Sequence, residues 1–267
     1  MFAEEWSLIL FTLLTQLAVG VFILLTAVRV SLVKENENQL AAKLTDKGFL
    51  AAGILMALAM VISLFHLGTP GGAYRAIFNL GSSWLSREIF FAGLFFALTV
   101  ACYYLARKDR FHAFLAWISS LVGLLVIFNM ASIYMSTIRP AWTDINTVLA
   151  FLGTTFFFGA VGSVAFIALG AKGENLPPMA LNLLRKVSVV GFIALAVQFI
   201  YLPVYYAALS TAGPAGIASA QIIAGSYAPA MVFRWIFSLA GGSFLAYALF
   251  KQGDAPSCRR QVGSIQL

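Results

Sequence analysis

Residues 8–33 read LILFTLLTQLAVGVFILLTAVRVSLV, and this stretch decides the fold. Its only ionisable side chain is Arg29, and the rest is apolar apart from hydroxyls and Gln16. A helix of roughly twenty apolar residues crosses a hydrocarbon core of about 30 Å. Six more stretches of the same character follow, at 48–67, 89–105, 111–135, 148–171, 187–209 and 229–250. Seven transmembrane helices are therefore expected.

Composition agrees. Hydrophobic residues make up 61% of the 267, charged residues only 10%, and the mean hydropathy is +0.91. A soluble domain carries about a quarter charged residues. A transmembrane barrel would show strands of about ten residues alternating in polarity, and no such alternation is present. The fold class is an all-α, polytopic membrane bundle. Residues 1–250 form the transmembrane domain and 251–267 a polar tail.

A net charge of +7 raises a nucleic-acid partner, but the basic residues sit at helix ends, where they set topology. The first connection holds Arg29, Lys34, Lys43 and Lys47, the third Arg107, Lys108 and Arg110, the fifth Lys172, Arg185 and Lys186, and the tail Lys251, Arg259 and Arg260. Only Arg75, Arg87, Arg139 and Arg234 fall on the other side. The positive-inside rule puts the N-terminus outside and the C-terminus inside, as an odd number of spans requires. Acidic Glu4 and Glu5 precede the first span, which is too long for a signal core and is expected to be retained. The expected location is a bacterial inner (cytoplasmic) membrane, crossed several times. Small residues such as Gly159, Gly162, Ser163, Gly241, Gly242 and Ser243 let helix backbones approach in lipid. The outer connections 68–88, 136–147 and 210–228 are apolar and aromatic, and are expected to fold against the bundle or a partner.

Several chemistries are excluded by residue type. Cys102 and Cys258 cannot supply a cysteine-rich site. A haem with two axial histidines needs both at similar depth, and His66 and His112 fall at opposite ends of their spans. Zinc spacing, a phosphate-binding glycine loop and a Gly-x-Ser-x-Gly elbow are missing. The chain is expected to hold no haem, no metal and no nucleotide of its own.

What remains is a polar cluster at the outer side. His66 closes the second span, and Arg87-Glu88 opens the third, so both lie at similar depth. An imidazole and a carboxylate there can accept protons and hydrogen-bond a polar headgroup, tuned by burial and by Arg75 or Arg87. Ionisable groups in spans cost about 2.5–3.5 kcal/mol each on insertion scales and mark function. The structural alternative is plain: Ser86 caps the helix, Glu88 meets its dipole in the first turn, and His66 is a wet interfacial ring. Arg87 is expected to pair with Glu88. Arg234, near the outer end of the seventh span, has three openings: Glu88, an anionic group, or snorkelling to the interface. Tyr134, Arg139 and Trp142 surround the outer end of the fourth span, where an aromatic belt would account for Trp142.

In Phe65-His66-Leu67-Gly68-Thr69-Pro70, in Ala73 with Arg75-Ala76, and in Leu85-Ser86-Arg87-Glu88-Ile89, the sequence resembles the membrane-anchor subunit of the anaerobic dimethyl sulfoxide reductase family, DmsC. Tyr134 with Thr137 and Trp142, and the span of Arg234, support the resemblance, which runs from the first span to about Phe250. It implies a three-subunit enzyme in which this anchor holds an iron–sulfur subunit and, through it, a molybdopterin catalytic subunit. The anchor would oxidise exchangeable menaquinol near the outer face and pass electrons to the partner during anaerobic respiration. His66 and Glu88 match the family's quinol-site histidine and glutamate. They are expected to act as proton acceptors and headgroup ligands, tuned by Arg75 or Arg87, and Ser86, Tyr134 and Arg234 are expected to complete the quinol-binding site. The family typically has eight spans against the seven read here, so no site contribution from an eighth is carried over. A different class, a small-solute permease or channel, would need binding groups and a broken helix near the midplane. Pro203 is the one plausible break.

Overall fold

The computed structural model describes residues 2–66, 70–172 and 174–251, and all regular structure among them is helical. Eight α-helices follow one another: α1 Phe2–Lys34, α2 Asn38–Ser63, α3 Trp84–Arg107, α4 Ala113–Met135, α5 Asn146–Ala171, α6 Pro178–Thr211, α7 Gly213–Ala224 and α8 Ala228–Lys251. All but α7 are long and apolar enough to cross a membrane, so the seven expected spans are present. The polar tail expected at 251–267 lies almost wholly outside the described residues.

Helices α1, α3, α6 and α8 overrun the expected spans at both ends because they keep turning past the apolar stretch, whereas α4 starts at Ala113 rather than 111 and α2 ends at Ser63 rather than 67. Helix α6 starts at Pro178, whose fixed φ and missing N–H suit a first turn. The second span tightens from α-helix at Ser63 into a 3-10 turn over Leu64–His66. Residues Pro70–Asn79 form a longer 3-10 segment packed on α3. Within 210–228, expected as a connection, the chain forms α7. Pro203 lies inside an uninterrupted α6, so the break that a permease reading would use is not there.

Helix α1 runs through the centre, against α2, α4 and α5. Its Phe22 ring is fully buried, 5.1 Å from Phe49 of α2 and 5.6 Å, edge-on, from Phe95 of α3. Where α1 crosses α5, Gly20 meets Gly159. A Cβ on Gly159 would come within 2.7 Å of the Gly20 Cα, so the two backbones touch. Gly162 likewise admits Val21. Close packing of this kind replaces the hydrophobic drive that lipid does not supply.

Arg29 departs from its expected role as a loop charge. It is buried within α1, where its guanidinium pairs with Asp46, donates to Thr45 Oγ1 at 3.0 Å, and stacks over Phe111 at 4.8 Å. The short turn between α1 and α2 brings Asp46 within its reach. Lys43–Glu174 and Lys47 to the Leu169 carbonyl then bind α2 to the end of α5. These contacts mark the basic-rich end of the bundle. At the other end Trp6 packs on Phe65, with ring centres 6.0 Å apart.

Candidate functional site

Helix α3 begins one turn earlier than expected. Its N-cap is Ser83, not Ser86, and the Ser83 hydroxyl accepts from the Ser86 N–H at 3.3 Å. Ser86 is therefore buried inside the first turn, and Glu88 moves into the second, away from the orphan N–H groups of the helix start. The expected Arg87–Glu88 ion pair does not form. Successive helical residues point about 100° apart, and Arg87 turns back instead. Its Nε donates to the Leu80 carbonyl and Nη2 to the Gly81 carbonyl, each at 2.7 Å, with the guanidinium 4.4 Å over the Trp84 ring.

Glu88 is only 5% exposed, and no described residue donates a hydrogen bond to it or pairs with it. It shares the inward stripe of α3 with Ala92 and Phe95. Register shows what surrounds it. Helices α1 and α3 run the same way, and Phe22 and Phe95 meet. Two turns back from each, about 10.5 Å, stand Thr15 and Glu88. Helix α4 runs oppositely, and its Gly123 lies against both Phe95 and Val19, so two turns on are Met130 and, beside it, Asn129. Thr15, Gln16, Glu88 and Asn129 thus lie at one depth, all buried, and Thr15 Oγ1 and Gln16 Oε1 have no hydrogen-bond partner among the described residues. The signal that points to Thr15, Gln16 and Asn129 is a polar side chain inside an apolar span, which reasoning from ionisable groups alone misses.

The other candidates fall elsewhere. The backbone of His66 ends the 3-10 turn after α2, and its side chain lies outside the described residues, as do Gly68 and Thr69. Arg75, exposed on the 3-10 segment, contacts its neighbour Tyr74, with Nε 3.5 Å from the hydroxyl. Tyr134 and Arg234 are brought together, but apart from α3. Both line a cavity of about 1010 Å³ walled by the adjoining ends of α4, α5, α6 and α8 and by α7. Arg234 does not reach Glu88 or snorkel freely. Its Nη2 donates to Gln198 Oε1 at 2.6 Å, and its guanidinium lies 5.1 Å from the Trp235 ring centre. Gln198 itself is held in α6 against Gly153 of α5, where a Cβ would come within 2.5 Å of it. The Tyr205 hydroxyl donates to the Ala141 carbonyl at 2.8 Å and pins the 136–145 loop over the cavity.

Over residues 1–265 the sequence matches the family described as DMSO reductase anchor subunit (DmsC). It is 25% identical over 242 residues to YnfH, an anaerobic dimethyl sulfoxide reductase polypeptide of Escherichia coli (strain K12), covering 89% of this sequence and 81% of that one. To the C polypeptide of anaerobic dimethyl sulfoxide reductase it is 27% identical in both E. coli and Haemophilus influenzae. The match spans 71% of this sequence and 66% of the E. coli protein, and 64% of this sequence and 61% of the H. influenzae protein. No solved structure matches it.

Proposed function

Since the protein belongs to the DMSO reductase anchor subunit family, DmsC, we propose that it oxidises a membrane quinol, menaquinol, and delivers the electrons to an iron–sulfur partner. It holds that partner, and through it a molybdopterin catalytic subunit, to the outer face of the bacterial inner membrane. The N-terminus is outside, so the basic-poor end faces the partner. The anchor itself stores no electrons. It supplies a bound position for the quinol and acceptors for its protons.

One observation carries the reading: Glu88 is a buried carboxyl near the basic-poor end, without a described counter-charge and level with unpartnered polar groups of α1. So costly an arrangement is kept for chemistry rather than packing. Oxidation of one quinol releases two electrons and two protons. The electrons leave to the partner's cluster, and the protons leave the ring hydroxyls. Glu88 takes up one, and His66, at the end of the same two-helix unit, takes up the other. The Ser86 hydroxyl and Arg75 stand on the same side to orient the headgroup, while Arg87 shapes the loop above it.

The test is quinol-driven reduction by the assembled complex. Glu88→Gln and His66→Ala should each abolish it, while dye-driven reduction by the catalytic subunit and membrane assembly stay intact. Full quinol turnover in both variants would remove the assignment.

A further inference from the structure

We propose that the cavity between the ends of α4, α5, α6 and α8 and the inner face of α7 binds one anionic phospholipid from the adjoining leaflet. The phosphate lies at Arg234 and Arg139, and an acyl chain lies along α7. This does not rest on the quinol reading, since α3 does not line the cavity.

The charge balance points to an anion. Among the described residues no Asp or Glu lines the cavity, whereas Arg139 and Arg234 both do. Arg234 is held by a neutral partner, Gln198, which is 7% exposed and itself fixed against Gly153. Arg139 stacks over Trp142 at 4.6 Å, and neither arginine has an ion pair among the described residues. Asp144 does not itself line the cavity but lies at its edge: its carboxylate accepts from the Asn146 N–H at 2.7 Å and lies near the Tyr201 and Tyr205 hydroxyls, and it forms no ion pair with either arginine. A guanidinium recognises phosphate through its paired donors, and basic clefts between membrane helices hold lipid headgroups.

The walls point to a ligand that bears an acyl chain. Helix α7 presents Ala215, Ala218, Ser219, Ile222 and Ile223 to the cavity, a stripe at i, i+3, i+4, i+7 and i+8 that is small and almost wholly apolar. Of α7 only Gly216 is buried, so the helix gives this face to the cavity rather than to the core. At about 1010 Å³ the space is at the top of the range for small-ligand sites, which is about 300–1,000 Å³. A neutral quinol would leave both guanidinium charges uncompensated.

The experiment is native mass spectrometry of the full-length protein in detergent, titrated with phosphatidylglycerol or with phosphatidylcholine of the same acyl chains. One phosphatidylglycerol per protein should be retained about tenfold more tightly than phosphatidylcholine. Arg234→Gln and Arg139→Gln should each remove most of that preference, whereas Arg234→Lys should keep part of it and serve as the folding control. Equal retention of both lipids, or an unchanged preference in both glutamine variants, would overturn the proposal. So would displacement of the lipid by inorganic phosphate, which would mean a soluble anion, or by a menaquinol analogue.

Discussion

Gly20 of α1 and Gly159 of α5 lie backbone against backbone: a Cβ on Gly20 would sit 2.8 Å from the Gly159 Cα and overlap the Thr155 carbonyl oxygen. No side chain can swing aside to make room, because the atoms in the way are backbone. Gly159→Ala should therefore cost about 1–3 kcal/mol by forcing the helices apart, and Gly159→Leu should prevent stable assembly. Unfolding in mixed micelles measures the first and membrane insertion yield the second. A melting point unchanged by Gly159→Ala would show that α1 and α5 do not cross here.

Arg29 and Asp46 join α1 to α2 inside the basic-rich end, with Arg29 4% and Asp46 18% exposed. Removing one partner strands the other, so Arg29→Met should destabilise by about 3–5 kcal/mol. Arg107 reaches Asp46 only at 3.9 Å from an exposed position and cannot replace it. The double variant Arg29→Met/Asp46→Leu should recover much of the loss, because two apolar groups leave no charge unpaired. A double-mutant cycle reads the coupling, and strictly additive losses would show that the pair is not coupled.

These two contacts show where the sequence speaks and where it stops. Hydropathy located all seven spans, since crossing lipid demands a long apolar helix regardless of its neighbours. It missed α7, because the twelve residues that open with Gly213-Pro214 are too short to cross lipid and small or apolar on nearly every side, so they read as a connection. Both Ser83 and Ser86 are good capping residues by type, and only the course of the 79–83 turn decides between them. Arg29 read as a loop charge because its pairing with Asp46 depends on the hairpin closing. Gln198 and Arg234, 36 residues apart on different helices, meet only once α6 and α8 pack. For Glu88, composition and position were legible, but the company of Thr15 and Gln16 required the Phe22–Phe95 contact to set the register.

Acid should loosen the junction of α2 with the α5–α6 connection. The ammonium of Lys43 hydrogen-bonds Glu174 at 2.6 Å and, with its charge, holds that carboxyl below the ordinary range. A carboxyl depressed in the folded state stabilises above its unfolded pKa of about 4.5, and that contribution disappears as the pH falls through the lower folded value. The pair is exposed, so the effect is small and screened by salt. Wild type and Glu174→Gln should differ slightly in melting temperature at neutral pH and low salt, and converge as the pH drops below the ordinary carboxylate range. A difference that persists in strong acid would separate Glu174 from this contact.

Arg87 offers a sharper test of how the loop above Glu88 is held. With two carbonyls of residues 80 and 81 on its guanidinium and Trp84 beneath it, it clasps the turn that leads into α3. Arg87→Gln should release that turn at a cost of about 1–3 kcal/mol. In the assembled complex it should raise the KM for quinol several-fold and leave dye-driven reduction unchanged. An ion pair with Glu88 would act differently, because removing the cation would alter the proton affinity of the carboxyl and move the pH profile of quinol oxidation. The clasp predicts a profile in Arg87→Gln that keeps its wild-type midpoint. A displaced midpoint with an unaltered KM would make Arg87 an electrostatic partner of Glu88 after all.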